Sequence, residues 1–146
     1  MITKATRQKD IVRLWYAFDA EGQVLGRLAV TVAKLLMGKN KTNLVTYLDG
    51  GDSVAVFNLT KIKVTGGKEK KKSYFRYSGY PGGLKSKTAA QLLETTPELI
   101  IVAAVKGMLP KNKLQNIWMQ RLHVYPGSEH PHAANTGAPK PISKSK

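Results

Sequence analysis

Apolar residues recur at helical spacing from Leu25 to Met37. Leu25, Leu28, Ala29, Val32, Leu35 and Leu36 fall on one broad face, and Arg27 and Lys34 point away from it. Gly38 fits the C′ position that ends such a helix. Before it, Leu14 to Ala20 is aromatic and apolar and runs into a turn at Glu21-Gly22, which predicts a first strand. Ser53 to Phe57 is a short apolar run of strand length. Lys61 to Thr65 alternates polar and apolar, as a half-exposed strand does. Ser73 to Tyr77 predicts a further strand, followed by loop chemistry from Ser78 to Gly83.

In the second half, Thr88 can cap a short helix through Leu93. Thr96-Pro97-Glu98 is a helix start: a capping Thr, Pro at the first position, an acid in the first turn. That helix carries Leu99 to Val105 and should stop near Lys106-Gly107. A further helix is expected within Asn112 to Gln120, and a last strand over Leu122 to Tyr125. Strands alternating with helices predict one α/β domain with a largely parallel sheet and helices on both faces. The organisation expected is a basic extension over 1–13, the domain over 14–125, and an extended tail over 126–146, whose mix of Gly, Pro, His, Ser and Lys holds little to bury.

Charge changes the picture. The 146 residues hold 24 Lys and Arg against 9 Asp and Glu, a net charge of +15. The segments that read as core are nearly neutral. Residues 15–57 balance four cations against four acids, and residues 88–105 carry only Glu94 and Glu98. The excess lies in connecting and terminal segments, above all residues 58–87 and 106–121. Phosphate contact by projecting parts of a neutral scaffold explains that pattern, and nucleic acid is the commonest partner of so basic a chain. No apolar run approaches the length of a membrane span. The basic start, Met1 to Lys9, is read as a tail on RNA rather than a transit peptide, since it is short and Asp10 follows. The chain has no cysteine, which excludes disulfides and thiolate metal sites.

The candidate chemistry is that of binding. Lys68, Lys70, Lys71 and Lys72 precede Tyr74, Arg76, Tyr77 and Tyr80, with Lys85 close behind. Cations bind phosphates and rings can stack on unpaired bases. The competing reading places Phe75 and some of the tyrosines in a core, because alternation puts rings on both faces of the strand. Lys106, Lys111, Lys113 and Arg121 form the second basic segment. Gly22 and Gly26 stand between a strand and a helix, without the spacing of a dinucleotide or phosphate loop. His130-Pro131-His132 offers too few ligands for a metal, and His123 is the only other histidine. Asp19, Asp49 and Asp52 each adjoin a turn and can bond backbone there. No nucleophile–base–acid set can be assembled, so the chain is expected not to be an enzyme and to need no cofactor.

Several motifs bear on a known family. They begin with Trp15-Tyr16, Asp19-Ala20 and Leu25-Gly26-Arg27-Leu28-Ala29, then Gly38-Lys39, Gly51-Asp52 and Lys63-Val64-Thr65-Gly66. They continue with Ser78 to Gly83, the long block Ala104 to Leu114, and Val124-Tyr125-Pro126-Gly127 before His130-Pro131-His132. In this order the chain resembles ribosomal protein thirteen of the large subunit, in its bacterial form. The resemblance implies a three-layer α/β/α domain with a four-stranded, mostly parallel sheet. It implies a structural constituent of the large subunit that binds large-subunit ribosomal RNA, supports early assembly, and touches neighbouring ribosomal proteins in the cytoplasm. It adds Lys106, Lys111, Lys113, His130 and His132 as RNA-facing candidates. The chain departs from the family at Gln115, where Gly is usual, at Asn135, and at Phe57-Asn58-Leu59. The alternative readings are a free regulatory RNA-binding protein and a nucleotide-binding α/β enzyme.

Overall fold

A computed structural model describes residues 5–136 of the protein; expectations for residues 1–4 and 137–146 lie outside the described residues. Three strands form a parallel sheet in the order β1 (Trp15–Asp19), β2 (Ser53–Phe57) and β5 (Leu122–Val124). The register pairs Tyr16 with Val54 and Phe18 with Val56, and Val54 and Val56 in turn with Leu122 and Val124. Side chains alternate across a strand, so these six residues share one face. Helices α1 (Leu25–Met37) and α4 (Pro97–Met108) bring Leu28, Val32, Leu36, Ile101 and Val105 to the same core, all buried.

The predicted α1 is observed residue for residue. Its end is fixed by Gly38 at φ 76°, whose N–H donates to the Leu35 carbonyl while the Lys39 N–H donates to that of Lys34. These paired bonds satisfy carbonyls that a helix end otherwise leaves open. A side chain at Gly38 would also press on the Gly50 carbonyl, and one at Gly51 would overlap that of Leu36. The loop before β2 is thus laid directly on the end of α1.

That loop carries two anchors. Asp52, 1% exposed, accepts the Leu14 N–H at 2.9 Å and pairs with Lys41 Nζ at 2.5 Å. Lys41 also donates to the carbonyls of Val12 (2.6 Å) and Gly50 (2.8 Å), so its three protons each have an acceptor. Asp49 accepts from Trp118 Nε1 at 3.0 Å and from the Arg121 guanidinium, with Arg13 at 3.6 Å. Asp49 and Asp52 therefore bond backbone and neighbouring cations, holding β1, α1, β2 and the segment before β5 together, while Asp19 accepts from the Glu21 N–H and the Asn58 side chain.

Two expectations about strands need correction. The sheet has three strands among the described residues, not four. Lys61 to Thr65 keeps the expected alternation, with Ile62 buried and Lys61 and Lys63 exposed. Its backbone, however, pairs with the β1–α1 connection through a single bridge between Val24 and Lys63, after a 3-10 turn at Leu59–Lys61. Asn58, at φ 59°, starts that turn and diverts the chain from the sheet. Ser73 to Tyr77 is a strand, β3, but it pairs antiparallel with β4 (Leu84–Thr88) in a separate two-stranded ribbon.

The ribbon leads into α3 (Ala89–Thr95), where Thr88 and Gln91 form a reciprocal capping box. Pro97 opens α4 as expected, but the Thr96 side chain makes no capping bond and the helix runs to Met108. The segment after Tyr125, expected as an extended tail, is in part folded. The Asn58 N–H donates to the Gly127 carbonyl, and a short helix, which we label α6, spans Ala133–Thr136. His130 and His132 lie against the second face of the sheet, over Trp15, Phe57 and His123.

Removing Lys41 should expose the dependence on Asp52. Replacing Lys41 with Met leaves a buried carboxylate unpaired, which costs about 3–5 kcal/mol. Urea unfolding should show that loss, and the double change Lys41→Met with Asp52→Asn should recover part of it; equal midpoints for the single variant and wild type would refute the pairing.

Candidate nucleic-acid interface

The cation-rich stretch forms a short helix, α2 (Lys68–Lys71), and the ribbon that follows. Lys68, Lys70, Lys71, Lys72, Arg76, Tyr80 and Lys85 are all exposed. They share one projecting unit, because the Ala89 N–H donates to the Lys72 carbonyl and closes the base of the ribbon onto α3. Its tip, Ser78 to Gly83, is held by the Gly83 N–H on the Tyr80 carbonyl and bends at Gly79 and Gly82, both with positive φ.

The aromatic residues overturn the core reading. Phe75 is 67% exposed, Tyr77 62% and Tyr80 77%. Only Tyr74 is half-buried, with Lys72 Nζ 5.2 Å from its ring centre. Rings on both faces of a strand call for burial only where that strand lies in the central sheet. A projecting ribbon has no such obligation. Lys87, which faces Tyr74 across the ribbon, and Leu84, which faces Tyr77, belong to the same surface and were not singled out from sequence. No strand was expected over Leu84–Thr88, whose alternation of Lys with Ser and Thr lacks an apolar face.

A second cationic surface lies at the corner between α4 and α5 (Leu114–Gln120), where Lys106, Lys111 and Lys113 are exposed. Gln115 gives this corner its shape. It is buried, and its Nε2 donates to the carbonyls of Lys106 (2.9 Å) and Leu109 (3.3 Å) at the end of α4. Its backbone N–H donates to the Asn112 side chain at 3.0 Å, which ties the turn before α5 to the first residues of that helix. The residue that departs from the family pattern thus closes one helix end and begins another.

The remaining three candidates sit differently. Arg121 is held inside the fold by Asp49 and by the Gly51 carbonyl at 3.0 Å, and burial pushes its guanidinium below its usual range, with Arg13 adding to the effect. His130 and His132 are half-buried. His132 lies 4.5 Å from the His123 ring and 4.7 Å from Trp15, and His130 lies 5.4 Å from Phe57 and 5.8 Å from Tyr125. The larger Phe57 of this chain therefore serves as a seat for His130. His123 is pushed below its ordinary 6.5, first by burial and then by the neighbouring His132.

Among the described residues no group of three His, Cys, Asp or Glu could hold a metal ion, and no helix is long and apolar enough to cross a membrane. The sequence profile of the family described as Ribosomal protein L13 matches residues 13–131. Among curated proteins, the large ribosomal subunit protein uL13 of Nocardia farcinica is 48% identical over 99% of this chain and 98% of its own length. Those of Thermotoga petrophila and Syntrophotalea carbinolica are 50% and 49% identical, over 96% and 92% of this chain and 93% and 94% of their own lengths.

Two outcomes follow from this geometry. Gln115→Ala strips donors from buried carbonyls and should cost about 1–3 kcal/mol in chemical unfolding; an unchanged midpoint would show that the corner holds without it. For His123, the depressed folded value means that the unfolded chain takes up the proton first as pH falls. Stability should be complete above the ordinary value of 6.5 and decline as pH drops below it. His123→Phe should flatten the unfolding midpoint between pH 7.5 and pH 5, measured as a difference from wild type, and an equally steep decline in the variant would assign the effect elsewhere.

Proposed function

The chain belongs to the ribosomal protein L13 family, and on that premise we propose that it is a structural constituent of the large ribosomal subunit, binding large-subunit ribosomal RNA and supporting early assembly in the cytoplasm. The observation that carries this reading is the family match across residues 13–131 in a chain of net charge +15. The charge distribution supports it. The parallel sheet and its helices bury a neutral core, and the cations stand on α2, the ribbon and the α4–α5 corner, where they reach phosphates without disturbing packing. The domain proposed as the RNA-binding unit is residues 14–125, and the segment folded over the sheet from Gly127 to Thr136 completes it. Arg121, His130 and His132 support the interface from within, by fixing the loop before β2 and the second face of the sheet. Neighbouring ribosomal proteins are the other partners of this reading, and no catalysis belongs to it.

Sedimentation of a cell lysate at moderate and high salt tests it. The protein should travel with the large subunit and persist through a moderate salt wash; its retention at the top of the gradient at both salts would overturn the assignment. Replacing Lys70, Lys71 and Lys72 together with Gln should lower the slope of log affinity for RNA against log salt by about 2. An unchanged slope would remove that cluster from the interface.

A further inference from the structure

The two faces of the β3–β4 ribbon differ in kind. Register places Tyr74 opposite Lys87 and Arg76 opposite Lys85, so one face is cationic. The other carries Phe75 opposite Ser86 and Tyr77 opposite Leu84, and holds no charged side chain. Phe75, Tyr77 and Leu84 are each more than 60% exposed. A ribbon of two strands gains little by leaving such a face in water, and soluble proteins seldom expose apolar clusters without a use for them.

We infer that this uncharged face is a stacking platform for unpaired RNA nucleotides, while the opposite face holds the phosphate backbone nearby. This inference rests on the RNA-binding reading and deepens it. Phe75 and Tyr77 are two residues apart on one strand, which spaces their rings by roughly 6.5–7 Å along the ribbon. The small Ser86 across from Phe75 leaves that ring uncovered on its cross-strand side. Charge chooses the occupant. Residues 68–88 carry seven cations against one carboxylate, Glu69. An apolar protein surface docking here would need a dense acidic rim to tolerate that field. RNA supplies a flat apolar face and an anionic backbone in one molecule. A paired helix hides its base faces, so the nucleotides engaged are those of loops, bulges or single strands. Gly79 and Gly82 at the tip leave room for a backbone to approach beside Tyr80.

Fluorescence anisotropy with a short oligouridine strand and with a fully paired RNA duplex tests this. The proteins compared are wild type, a ring variant with Phe75→Ala and Tyr77→Ala, and a charge variant with Arg76, Lys85 and Lys87 each changed to Gln. All five positions are exposed, so the fold should persist, and far-ultraviolet circular dichroism checks it. The ring variant should bind the single strand more weakly, by about fivefold to a hundredfold per ring, with duplex affinity and salt slope unchanged. The charge variant should weaken both and lower both slopes. A ring variant that binds the single strand as wild type does would overturn the stacking inference. A lowered slope in the charge variant would then leave the RNA reading standing and point to a protein on the uncharged face. If neither variant changes RNA affinity, the ribbon has no part in RNA binding, although co-sedimentation would still judge the ribosomal assignment.

Discussion

A carboxylate removed from water must have its charge answered, and in this protein Asp52 sets that condition for the centre of the fold. Lys41 answers it, and the Val12 and Gly50 carbonyls saturate the ammonium in turn. The pair therefore ties the approach to β1, the end of α1 and the start of β2 into one arrangement. An apolar pair could hold these segments with equal strength, but it would accept many relative positions. Directional bonds from one ammonium to three oxygens accept very few. Asp49 does the same within the same loop, joining Trp118 and Arg121 to the start of β2. Gly38 and Gly51 allow the end of α1 and this loop to come so close.

On this fixed centre the protein separates two tasks. Apolar packing is confined to the sheet and its covering helices, where few charges intrude. Cations are carried outward on elements with little burial of their own. The ribbon and α2 depend on the domain for support at their base, through α3, and are otherwise solvated. The α4–α5 corner is the opposite case, a cationic surface whose backbone is clamped from beneath by Gln115. One surface is therefore held rigidly and the other projects.

Much of this was legible from the chain. Periodicity located α1 to the residue because its apolar face, its length and its terminal glycine all agree. The β2 run and the Pro97 helix start were equally plain, for they depend on local chemistry. Partner choice was not legible. Lys61 to Thr65 has the alternation of a strand, and Ile62 does enter the core, but its backbone pairs with the β1–α1 connection and not with a strand of the sheet. Phe75 looked like core because aromatic residues in a strand usually are; its exposure follows from β3 pairing only with β4, which no property of Phe75 encodes. Arg121 looked like another surface cation until Asp49, 72 residues away in sequence, was placed beside it. The general pattern of a neutral body with basic projections survives these corrections, since it depends on composition along the chain rather than on pairing.

The histidine-bearing segment that closes the second face of the sheet has a consequence in time. Ribosomes make a chain from its N-terminus, and residues 128–136 are synthesised after every strand they cover. While the chain is still being made, the first face can collapse around α1 and α4, but Trp15, Phe57 and His123 have no lid. Closure of that face must therefore wait until this segment has been made. A nascent chain halted before His130 would hold a formed sheet with one bare aromatic side, a species for chaperones to shield rather than a finished protein.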